Sequence, residues 1–117
     1  SDGGCTEDQI DFYIQKSLAI DSIKPICVVK SWVWWDLDIS SEDASRLSAL
    51  GLRAAMIKSD FVIKDETGRF SQGNWVRSSY LKEFHHNCLF ETKNTFYLLV
   101  GTGTRKIVTI EQMSRLF

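Results

Sequence analysis

The sequence predicts an α+β domain in which two N-terminal helices pack on a mostly antiparallel sheet ending in a four-stranded meander. Three observations point there. Apolar residues recur at helical spacing mainly before residue 51, and β-rich runs dominate from Trp75 onward. The breaks between those runs are His86-Asn87, Lys93-Asn94 and Gly101-Thr102-Gly103-Thr104. Such breaks suit hairpins, because a parallel crossover takes about a dozen residues or more. With 117 residues, the chain reads as a single domain, 1–117, that holds its core without staples.

The elements follow in order. Thr6 and Gln9 form a capping box, and Ile10, Tyr13, Ile14 and Leu18 make one apolar stripe, so a first helix is expected from about Glu7 to Ile20. Pro25, the sole proline, stands between this helix and a β-type run from Ile26 to Ile39. Ser40 or Ser41 caps a second helix with Ala44, Leu47 and Leu50 on one face and Gly51 as its stop. Leu52 to Ile63 reads as extended, and Asp65-Glu66-Thr67-Gly68 as a turn. The meander comprises Trp75–Phe84, Cys88–Thr92, Thr95–Val100 and Arg105–Thr109. Thr109 with Gln112 caps a last short helix ending near Phe117.

The aromatic content is the compositional outlier, with four Trp, three Tyr and seven Phe. Three of the Trp fall in the run from Ile26 to Ile39. Side chains alternate along a strand, so Cys27, Val29, Val33, Trp35, Leu37 and Ile39 should face the core. The opposite parity carries Trp32 and Trp34 beside Asp36 and Asp38. Two arrangements fit that face. The first helix covers it, and the indoles are packing residues; or it is an interface, with the indoles as anchors and the aspartates setting register and on-rate.

Chemical motifs are sparse. His85-His86-Asn87-Cys88 offers ligand atoms, but zinc needs four converging ligands, and neighbours on a strand point apart. A hairpin turn is the expectation there, as it is for Gly101-Thr102-Gly103-Thr104, which lacks the third glycine and following helix of a dinucleotide loop. No catalytic residue, metal site or cofactor is expected. Three cysteines, Cys5, Cys27 and Cys88, are an odd, scattered set that fits a reducing compartment, with Cys27 and Cys88 in the core. No leader or membrane span is visible, so the expected location is the cytoplasm.

The net charge is −1, but residues 1–50 carry nine acids and four bases, and residues 51–117 carry six acids and ten bases. The basic half supplies an alternative, a nucleic-acid surface of Arg69, Arg77, Lys82, Arg105 and Lys106 interleaved with aromatic residues. A pI near 6.1 argues against it. Opposite halves also permit a homodimer.

The segments Arg69–Ser79 and Cys88–Gly101 resemble a family of small proteobacterial, phage and prophage proteins. Its recurrent elements are Gly-x-Trp-Val-Arg-Ser/Thr-Ser and Glu-Thr-x-Asn-Thr-x-Tyr, here Gly73 to Ser79 and Glu91 to Tyr97. The resemblance implies no activity and no catalytic residue. It implies a setting in which small proteins act by binding a host or defence protein. The functional expectation is therefore a non-enzymatic, intracellular protein-binding domain, in one form an inhibitor, with Trp32, Trp34, Asp36 and Asp38 as its site.

Overall fold

The computed structural model describes residues 3–66, 68 and 73–115. A 3-10 turn at Glu7–Gln9 leads into helix α1 (Ile10–Ile20), followed by strand β1 (Ile26–Leu37), helix α2 (Ser41–Ala49) and strand β2 (Ala55–Asp65). Short strands β3 (Val76–Arg77), β4 (Glu83–His85), β5 (Leu89–Glu91), β6 (Phe96–Leu99) and β7 (Thr104–Val108) lead to helix α3 (Ile110–Arg115). The α+β class holds, with a large, mostly antiparallel sheet in the order β3-β2-β1-β6-β5-β4 and β7 also on β1.

The path of the chain explains why the sheet closes. Residues 76–85 form one segment that changes neighbours midway. Leu81 N donates to Ala55 O beside β2, and the next residue, Lys82, donates from its N to Glu91 O on β5. The two ends of the strand order are thus halves of one segment, and the sheet curls into a small barrel. Each segment runs antiparallel to the one before. Five alternating segments leave the first and last pointing the same way, so closure must be parallel. β1 accordingly pairs in parallel with β6 along Ile26–Val29 and with β7 along Val33–Leu37.

This corrects the four-stranded meander. β4, β5 and β6 form antiparallel hairpins, but β7 is not their fourth partner. Gly101-Thr102-Gly103 is not a hairpin turn either. It carries the chain onward along β1, with Val100 N donating to Val29 O at the junction. The helices also differ from expectation. Ile10, Tyr13 and Ile14 of α1 pack on the outer face of the sheet against a cluster containing Val28, Leu89, Phe96 and Leu98. In contrast, α2 has no buried residue, so only one N-terminal helix covers the sheet. The expected end of the last helix, near Phe117, lies outside the described residues.

The parity of β1 is the third correction. Ser31 has φ 52° and is exposed, a left-handed kink that inverts the alternation. Cys27 and Val29 face the barrel interior before it, and Trp32 and Trp34 face the same interior after it. Trp35 and Leu37 turn outward, against Met113 of α3. β2 inverts at the same level. Asp60, across from Ser31 by the register, is exposed, and Ile57 and Val62, of opposite parity, both face inward. Because both strands reverse together, their register survives.

Candidate functional site

Trp32 and Trp34 are 5% and 7% exposed. They are interior residues, covered by strands and not by the first helix. The Trp32 indole lies against Gly103 and its Nε1 donates to Gly101 O at 3.3 Å. Trp34 stands edge-on to Phe84 and Phe90, with ring centroids 4.8 and 5.0 Å away. The expectation of an outward Trp pair is overturned by the inversion at Ser31.

What reaches the surface is the polar end of this stack. Trp34 Nε1 donates to Asp36 Oδ1 at 3.1 Å, and Arg105 donates from Nε and from a terminal nitrogen to the Asp36 carboxylate at 2.6 and 3.0 Å. The Arg105 guanidinium sits 4.7 Å above the Trp34 ring. Partial burial works to raise the Asp36 pKa, but the hydrogen bonds from Arg105 and Trp34 outweigh it and hold the carboxyl below its ordinary value. The structure thus joins two residues of the expected protein site, Trp34 and Asp36, with one residue of the nucleic-acid alternative, Arg105. Asp38 is exposed, and its backbone N donates to Val108 O.

That last bond orients β7. Within a strand the N–H and C=O of one residue point to the same side, and successive residues alternate. Val108 points to β1, so Lys106 and Thr104 do too, and Ile107 turns its N–H and C=O the other way. No strand among the described residues pairs with that side. The N-terminal segment takes the neighbouring edge at Thr102, which bridges to Gly3. Ile107 is 77% exposed and Lys106 beside it is exposed. Among the described residues β7 is an edge strand, with the Trp34–Asp36–Arg105 stack on its rim.

The other basic candidates do not converge on it. Arg77 lies on β3, across β2 from β1, and lines a cleft of about 450 Å³ with Met56, Ser78, Ser79, Tyr80 and Met113. Lys82 is 3.9 Å from Glu91 on the far side of the sheet order. Arg69 lies outside the described residues.

A second polar centre was not foreseen. Glu91 is buried and its Oε2 accepts from Lys24 Nζ at 2.5 Å, while Lys24 also donates to Thr92 O at 2.9 Å. Glu91 Oε1 is 2.8 Å from His85 Nε2. Burial works to raise the Glu91 pKa, but the bonds from Lys24 and His85 prevail and hold it low. The sequence signal was present in Glu83-x-His85, one strand face, followed by Glu91 after the hairpin corner. Elsewhere, all three cysteines are buried and none of them forms a disulfide among the described residues. Burial and the neighbouring Cys5 push the Cys88 thiol up to about 12. No helix among the described residues is long and apolar enough to cross a membrane.

Residues 2–115 match the family described as Domain of unknown function (DUF6957), and the chain belongs to that family. No curated protein and no solved structure gives a significant match.

Proposed function

We propose that this member of the family is a non-enzymatic protein-binding domain that accepts an extended, acidic segment of a partner protein along β7. The observation that carries the reading is the orientation of Ile107, whose backbone N–H and C=O face a side of the sheet unpaired among the described residues. An added strand gains main-chain hydrogen bonds there and places alternate side chains over the exposed Ile107. Lys106 supplies the charge preference. It also disfavours a second copy of the chain as occupant, because antiparallel self-pairing centred on Lys106 would set like charges opposite each other. Arg105 is already fixed by Asp36 and Trp34, so the rim of the site is rigid before binding, which lowers the ordering cost of association.

Three buried cysteines outside any disulfide suit action in a reducing cytoplasm. Inhibition of a host or defence protein in a phage or prophage setting is a role that strand addition serves without catalysis. Selection of peptides from a random display library tests the reading. The expected winners are acidic and extended. Ile107→Pro removes only an outward N–H, a substitution edge strands tolerate, and should abolish binding with the fold intact. Lys106→Glu should weaken binding about tenfold, or 1.4 kcal/mol. Neutral or basic winners, or binding unaffected by Ile107→Pro, would refute it.

A further inference from the structure

Glu83 and His85 are two residues apart on β4 and so share a face. The register sets Glu91 of β5 directly opposite Glu83. One ligand atom from each of the three lies within 4.8 Å of the others. Two separations are defined further: His85 Nε2 is 2.8 Å from Glu91 Oε1 and 3.8 Å from Glu83 Oε2. A tetrahedral zinc ion with bonds of about 2.0–2.2 Å holds its ligand atoms roughly 3.3–3.6 Å apart. Both separations come into that range by shifts of roughly half an ångström, well within the reach of an exposed Glu83 side chain and a half-buried imidazole.

We propose that Glu83, His85 and Glu91 form a divalent-metal site, of zinc type, with the fourth position open to water or to a donor from a partner. The donor set of one imidazole and two carboxylates suits zinc. The supporting shell is already built. Lys24 Nζ grips the other oxygen of Glu91 and is itself held by Thr92 O, so the buried carboxylate has one orientation. The His85 ring is steadied edge-on against Phe96, centroids 6.2 Å apart. An ionised carboxylate only accepts, so in the metal-free contact with Glu91 the donor is Nε2. The metal takes the place of the Nε2 proton, and the neutral ring then bears its proton on Nδ1. Lys24 and the exposed Lys82, 3.9 Å from Glu91, oppose a second positive charge, so the expected affinity is micromolar rather than nanomolar.

Titration of the full chain with zinc chloride by calorimetry, and with cobalt(II) by visible absorption, tests the site. One ion per chain, a cobalt spectrum of tetrahedral intensity, and loss of at least tenfold in affinity in both Glu83→Gln and His85→Ala would support it. Glu83 is exposed, so Glu83→Gln probes the site in a folded protein even if His85→Ala does not fold. Absence of binding at millimolar zinc, or binding that survives Glu83→Gln, would overturn the proposal.

Discussion

The indole of Trp32 fills the space where a side chain on Gly103 would stand: a Cβ on Gly103 would lie 2.3 Å from Trp32 Cδ2. The ring cannot swing away freely, because Nε1 is tied to Gly101 O. Gly103→Ala should therefore cost about 1–3 kcal/mol through overpacking. Gly101 gives a contrast. A Cβ there meets nothing, but φ is +74°, so Gly101→Ala should cost about 1–2 kcal/mol through backbone strain alone. Urea denaturation of a double-mutant cycle with Trp32→Leu separates the two. Gly103→Ala should couple strongly to the smaller side chain and Gly101→Ala weakly.

Asp36 predicts a pH signature. Its folded pKa lies below the unfolded value, so its bond to Arg105 contributes stability that is fully present above about pH 3.9. The contribution is lost as pH falls through the lower folded value. Asp36→Asn should be less stable than the natural chain near neutrality, by about 1 kcal/mol or less for so accessible a pair. That gap should shrink at acid pH. Urea midpoints of both proteins across an acid series check it, and a constant gap would remove Asp36 from the acid limb.

Alternation and capping made much of the fold legible. Thr6 N donates to its expected partner, Gln9 Oε1, at 3.0 Å, and Ile10, Tyr13 and Ile14 of the α1 stripe pack where their spacing directs, while Leu18 at its end is exposed. What could not be read was the point at which alternation stops. Serine carries no strong mark of left-handed geometry, so the inversion at Ser31 reassigned Trp32 and Trp34 from an outer face to the barrel interior. Parallel closure was hidden for another reason. It follows from an odd number of segments, a property of the whole path, whereas Gly101-Thr102-Gly103 looks locally like a turn. Of the candidate site, Trp34, Asp36 and Arg105 were each singled out by type, but only the parallel pairing of β1 with β7 brings them together.

Ser31 itself offers a test of the inversion. A non-glycine residue at φ 52° carries strain of about 1–2 kcal/mol, and its side chain is exposed. Ser31→Gly relieves the strain at some cost in unfolded-state entropy, so a gain of about 0.5–1 kcal/mol is expected. Ser31→Val should lose more than 1 kcal/mol, because β-branched side chains fit left-handed backbone poorly. Thermal melts of the two variants give the comparison. Equal stability of Val and Gly at this position would mean that the strand runs straight through it.

Lys24 and Glu91 are both nearly buried and paired at 2.5 Å, and removing either partner alone strands a charge. Lys24→Met should cost about 3–5 kcal/mol, since Glu91 keeps its desolvation penalty and loses its main counter-charge. Lys24→Met combined with Glu91→Leu replaces the pair by packed apolar groups beside Phe96, and such replacements are often neutral or stabilising. The double variant should thus recover most of the loss, while also removing one of the three metal donors. A double variant as unstable as the single one would mean that Lys24 acts through its bond to Thr92 O rather than through Glu91. Chemical denaturation of the two single variants and the double variant distinguishes these outcomes.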